Sequence, residues 1–143
     1  MELPAYKKHK DHDEIIRSAY TAVKAILSLE LYPAHKRELL DICIWKISEV
    51  DGKHNTRYRS IGALQEMDVR NLRHEHVEER KELIYRLIED PDNYESILND
   101  IVACIVTKEE HEQLHRQNKK GWDRYKAAKI KVFDLINRSE FPL

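Results

Sequence analysis

Chain breakers are scarce here. Of 143 residues only 3 are glycine and 4 are proline, a scarcity that argues for a mostly helical protein. Cysteine is scarcer still. Cys43 and Cys104 sit in the apolar stretches Asp-Ile-Cys-Ile-Trp and Val-Ala-Cys-Ile-Val. They lack the paired spacing of a zinc knuckle and read as free buried thiols of a reducing compartment. No apolar run reaches the roughly 18 residues that a membrane span needs, and the N-terminus has no apolar signal region. A soluble, cytoplasmic protein with no membrane partner is therefore expected. An excess of one charge is missing too: 25 Lys and Arg face 26 Asp and Glu, which excludes a uniformly basic nucleic-acid coat. With three scattered glycines no Gly-x-Gly-x-x-Gly or Walker loop can be written, and there is no Gly-x-Ser-x-Gly. No organic cofactor and no serine-hydrolase elbow are expected.

What is abundant is charge (36%) and aliphatic or aromatic side chains (41%), with Glu, Lys, Arg, Leu, Ile and Ala prominent. That mixture predicts a mainly α (α+β) single domain over residues 1–143, with a few short strands. Residues 1–10 read as a loosely tied basic start. From about Asp11, the residues Ile15, Ile16, Ala19, Tyr20, Val23, Ile26 and Leu27 recur at helical spacing, and Asp11 or Asp13 can cap that helix. Pro33 suits the first turn of a second helix that buries Leu39, Leu40, Cys43, Ile44, Ile47 and Val50 and stops at Asp51-Gly52. The two form a helical hairpin over 11–52, with Tyr20 and Trp45 as packing residues.

Residues 53–143 are expected to bear the site. Lys-His-Asn-Thr-Arg-Tyr-Arg-Ser (53–60) is a basic connection, either a short strand or a phosphate-facing loop. A brief helix follows at 61–67. Leu72–Val77 reads as a strand, 79–89 as a helix closed by Pro91, 92–101 as another helix, and Val102–Val106 as a buried strand. Thr107-Lys-Glu-Glu110 is a capping box that opens a helix holding His111, Leu114 and His115, with Gly121 ending it. Trp122–Ala128 starts a further piece, and Ile130–Phe133 alternates like a strand.

Three of the eight histidines fall in the two stretches richest in ligand chemistry. On a strand, His74 and His76 leave one face and Glu75 the other. Which of His74 and Glu75 points inward depends on a one-residue register. The capping box places His111 near the end of its helix's first turn. A strand that delivers His74 or Glu75 toward a helix that delivers His111 makes a partial shell for a divalent ion such as Mg, Mn, Ni or Zn. His9, His12, His35, His54 and His115 read as ordinary surface residues.

Glu75-His76-Val77 resembles the first signature of the HNH, or ββα-metal, nucleases, and Thr107-Lys-Glu-Glu-His111 is similar to the entry of that family's metal-binding helix. The resemblance spans about 45 residues. It implies that Glu75 and His111 ligate a divalent ion, that His76 is the catalytic base, and that Arg73 or Arg80 holds the phosphate. The family's middle asparagine has no matching residue, since Asn93 and Asn99 fall in a segment read as helical.

The expected function is thus metal-dependent phosphodiester hydrolysis. The basic residues Arg57, Arg59, Arg73, Arg80, Lys119, Lys120, Arg124 and Lys126 would flank a nucleic-acid path. Two other readings use the same residues differently: a non-catalytic nucleic-acid-binding or regulatory domain, and a small helical inhibitor that docks on a protein partner through its acidic 89–100 segment and basic 116–131 face. Nothing in the sequence indicates the oligomeric state.

Overall fold

In a computed structural model, which describes residues 2–143, the apolar stripe of the first helix, α1 (His12–Ser28), packs on the second, α2 (Pro33–Ser48). Pro33 opens α2 at its first turn, where a missing N–H costs nothing. Two later helices, α4 (Arg80–Glu89) and α5 (Tyr94–Asn99), complete this layer. Val23, Leu40, Ile44, Leu83, Leu87 and Leu98 are sealed from solvent there, each contributing about 1.5–3 kcal/mol by burial.

The second layer is a five-stranded mixed sheet. Its strands are β1 (Tyr58–Ser60), β2 (Leu72–His76), β3 (Ala103–Thr107), β4 (Val132–Asp134) and β5 (Ser139–Phe141), in the order β2-β3-β1-β4-β5. β1 and β3 run parallel; the other neighbours are antiparallel. A third layer, α6 (Lys108–His115) with α7 (Trp122–Ala127), covers one face of the sheet over Val77, Cys104, Val106, Leu114, Tyr125 and Val132. The short α3 (Ile61–Gln65) follows β1, capped by the Ser60 hydroxyl. The protein is mainly α with a small sheet, an α+β fold. No described helix is long and apolar enough to cross a membrane.

Several local expectations are revised. The start of the chain is held: the Tyr6 hydroxyl donates to Asp51 (2.5 Å), the His9 N–H donates to Asp51 (2.8 Å), and Asn55 donates to the Lys7 carbonyl (2.5 Å). Neither Asp11 nor Asp13 caps α1 through its side chain. α2 ends at Ser48 rather than at Asp51-Gly52, and Gly52 serves the following turn with φ +111°. Leu39, expected in the core, is exposed, because α2 is covered on one side only. Gly121 does not end α6, which stops at His115. With φ +58° it precedes α7 instead. The last strand, β5, has no counterpart in the sequence reading.

Candidate metal centre

β2 is an edge strand, and its alternation divides the chemistry between two faces. Glu75 is opposite Cys104 of β3 in the ladder and points under α6 and α7. His74 and His76 leave the other face and meet α2. The capping box forms as the sequence indicates: the Thr107 hydroxyl accepts from the Glu110 N–H (3.1 Å) and Glu110 accepts from the Thr107 N–H (2.8 Å). Glu110 also accepts from the Ser60 hydroxyl (2.5 Å), which ties α6 to the end of β1. So anchored, α6 presents two histidines one turn apart on the side facing β2.

Glu75, His111 and His115 converge there, each offering a ligand atom within 4.8 Å of the others. Glu75 Oε2 lies 2.5 Å from His111 Nδ1 and 3.6 Å from His115 Nε2, and the two imidazole centroids are 4.3 Å apart. Glu75 is buried, His111 partly so, and His115 is exposed, which leaves an open side. Two imidazoles and one carboxylate suit Zn²⁺, Ni²⁺ or Mn²⁺ better than Mg²⁺, which prefers an all-oxygen shell. The set can hold a metal ion.

His74 is not part of this group, since the pleat turns it away from His111. His115, read as a surface residue, is its third member. The His-x-x-x-His spacing behind the capping box was the signal for it. Arg124, read as an exposed cation, is 1% exposed. Its Nη2 donates to the His76 and Val77 carbonyls (2.9 Å each) and lies 3.3 Å from Glu75 Oε1, while Nε and Nη1 have no partner. It is the countercharge behind Glu75, not a contact for a nucleic acid.

On the opposite face, His76 Nε2 lies 2.8 Å and His74 Nε2 3.3 Å from the Ser48 hydroxyl, while His74 Nδ1 meets the Lys53 carbonyl at 2.6 Å. Trp45 packs against both rings, and Arg80 lies over Trp45 at 4.8 Å while its Nη1 donates to both carboxylate oxygens of Asp41. Burial lowers both histidines below the ordinary imidazole range, His76 to about 3, with the positive Arg80 adding to the effect there. Both rings are neutral at physiological pH.

A cleft of about 770 Å³ wraps around the β2 edge and takes in both faces, with Glu75, His111 and His115 on one side and His74, His76, Trp45 and Arg80 on the other. Lys53, Arg70, Arg73, Arg80 and Lys81 line it against Glu75 and Glu79. Of the expected nucleic-acid contacts, only Arg73 and Arg80 are therefore in the cleft. Arg57 is held by Asp134 through two hydrogen bonds (3.0 and 2.8 Å), and Arg59 donates to the His54 carbonyl. Lys119 and Lys120 border a separate groove shared with Glu78, Glu79 and Glu82, and Lys126 is exposed on α7. His12 and His54 are also not plain surface residues. His12 pairs with Asp51 (2.8 Å), and His54 Nδ1 is buried without a partner.

Fold and site together define an α+β protein with a Glu/His/His centre able to hold a metal ion. Comparison with family models, with curated proteins and with solved structures returned no match.

Proposed function

We propose that this protein is a metal-dependent, HNH-like nuclease that hydrolyses phosphodiester bonds. One observation carries the reading: Glu75 from β2 meets His111 and His115 from α6 within 4.8 Å. The elements concerned are two antiparallel strands followed by a helix. This is the strand–strand–helix order that the resemblance implies, with α4 and α5 inserted between the strands. Of the five cleft cations, Arg70, Arg80 and Lys81 pair with Asp68, Asp41 and Glu79, and Lys53 and Arg73 supply the charge that draws in a phosphate backbone.

A divalent ion held by Glu75, His111 and His115 would supply Lewis-acid stabilisation of the leaving oxygen. The chain's own groups do the rest. Glu75, fixed from behind by Arg124, and the two imidazoles would hold the ion. Arg73, together with the Arg80 guanidinium held over Trp45, orients the phosphate. His76, the residue after Glu75, accepts the proton of the attacking water. Burial keeps it neutral and so able to accept, and the negative charge of a bound phosphodiester raises its basicity again.

Titrating Mn²⁺, Ni²⁺ and Zn²⁺ into chelator-stripped protein tests the centre. A one-to-one binding heat is expected, lost in His111→Ala and in His115→Ala and kept in His76→Ala. With plasmid or RNA substrates, His76→Ala should lose cleavage while retaining the metal. Equal heats in wild type and both ligand variants would refute the centre. The cleft cations also favour a second reading, a nucleic-acid-binding domain without catalysis. It predicts salt-dependent binding indifferent to metal and to His76→Ala.

A further inference from the structure

Two buried imidazoles sharing one serine hydroxyl leave few ways to place three protons. His74 Nδ1 lies 2.6 Å from the Lys53 carbonyl oxygen. Two acceptors do not approach so closely, so this nitrogen carries a proton and donates it. His74 is buried and hydrogen-bonded to no carboxylate that would stabilise an imidazolium. Its Nε2 is therefore a bare lone pair, and the Ser48 hydroxyl, 3.3 Å away, is its hydrogen-bond partner.

Ser48 has one proton to give and three acceptors near it: His74 Nε2, His76 Nε2 and the Trp45 carbonyl at 3.2 Å. The Trp45 carbonyl also accepts from the Glu49 N–H at 2.9 Å; giving the serine proton to its second lone pair would leave His74 Nε2 without a donor, and His76 would still have to donate to Ser48. If Ser48 donated to His76, its own oxygen would face the His74 lone pair with no hydrogen between them. Donation to His74 gives the serine and both Nε2 atoms a partner, provided His76 donates its Nε2 proton to Ser48 across their 2.8 Å contact. The proton on His76 then sits at Nε2, and Nδ1 is the acceptor.

His76 Nδ1 makes no hydrogen bond. His76 lines the cleft, which leaves this ring nitrogen for a group that enters there.

We propose that Ser48 is a positioning residue: with His74 behind it, its hydroxyl locks His76 as the Nε2–H tautomer and presents the Nδ1 lone pair to the cleft. The consequence for catalysis rests on the nuclease reading above; the tautomer does not. Trp45, edge-on to His76 at 4.7 Å, holds the ring plane while the hydroxyl fixes the proton. A residue of the helical hairpin, remote in sequence from both motifs, thus prepares the base.

Long-range nitrogen–proton correlation spectra of protein labelled in its histidine rings read the proton's position directly. Wild type should show His76 protonated at Nε2 and His74 at Nδ1. In Ser48→Ala the His76 signals should move toward a tautomer mixture, and Ser48→Thr, which keeps the hydroxyl, should restore them. In His74→Phe the serine proton is released toward His76, and the Nδ1–H form should gain. If the nuclease reading holds, kcat should fall about ten- to a hundredfold in Ser48→Ala. KM and the metal affinity should stay unchanged, with recovery in Ser48→Thr. A wild-type His76 protonated at Nδ1, or one whose tautomer is indifferent to Ser48→Ala, overturns the proposal whether or not the protein cleaves nucleic acid. A protein that cleaves nothing yet shows the Nε2–H lock, lost in Ser48→Ala, refutes the nuclease reading and leaves the positioning role standing.

Discussion

Acidification should cost this protein stability through one identifiable side chain. Burial lowers His76 from the ordinary 6.5 to about 3 in the folded chain. Between those values the unfolded chain binds a proton that the folded chain refuses, so stability rises with pH across that window. The contribution is fully present above about pH 6.5 and is lost as pH falls toward 3. One pH unit inside the window is worth about 1.4 kcal/mol, so lowering the pH from 7.5 to 4.5 removes about 2.7 kcal/mol. A domain of this size has a total stability on the order of 5–15 kcal/mol. The comparison is wild type against His76→Gln, whose amide can reach Ser48 but does not titrate. Urea unfolding at half-unit pH steps gives both curves, and their difference removes the carboxylates common to the two. That difference should fall by about 1.4 kcal/mol per pH unit below pH 6. Parallel curves would refute the burial argument, because they would show His76 titrating as it does in the unfolded chain.

Other expectations follow from the same contacts. Arg124→Met leaves Glu75 buried without its countercharge and should destabilise by about 3 kcal/mol in urea melts. Combining it with Glu75→Gln should recover most of the loss, and a neutral single variant would refute the pairing. If nucleic acid binds the cleft, replacing Arg70, Arg73 and Lys81 by alanine should lower the slope of log K against log salt by about three. Replacing Lys119 and Lys120 should leave that slope in place, and the reverse ranking would move the binding face. Gly121→Ala forces a side chain into φ +58°, ψ −143°, with its Cβ 3.3 Å from Glu78. A loss of about 1–2 kcal/mol is expected in thermal melts, and an unchanged Tm would refute the strain.

Elements whose cause is local were legible in the sequence. The capping box at Thr107–Glu110 needs only residues three apart, and Pro33 sets its own φ, so α6 and the start of α2 could be read directly. β2 was read from the tandem Arg-His-Glu-His at 73–76, an unusual run for a helix interior. The sheet as a whole did not. β1, β4 and β5 have three residues each, too few for a period to register, and the parallel pairing of β1 with β3 joins segments more than forty residues apart. Arg124 was misread because it lies in a run of lysines and arginines, which by pattern is a solvated face. Only the tertiary meeting with Glu75 and the β2 edge carbonyls turns it inward. His115 was legible in principle from its spacing to His111 but looked exposed, as it is, and exposure on one side is what an open metal position requires.

The division of labour across β2 follows from its pleat and its place at the edge of the sheet. Successive side chains of a strand point to opposite faces, so Glu75 and His76 cannot share one wall of a site in the middle of a sheet. An edge strand removes that restriction. With no further strand beyond β2, a cleft can pass around it and reach both faces, and the basic side chains of the flanking turns line the way. The edge is protected in turn by guanidinium groups. Arg73 donates to the Leu72 carbonyl and Arg124 to that of His76, which leaves fewer free acceptors for another strand to pair with. Arg124 therefore has two roles that constrain each other. It must be buried to close the edge, and once buried its charge has to be met by Glu75, which fixes that carboxylate where His111 and His115 converge.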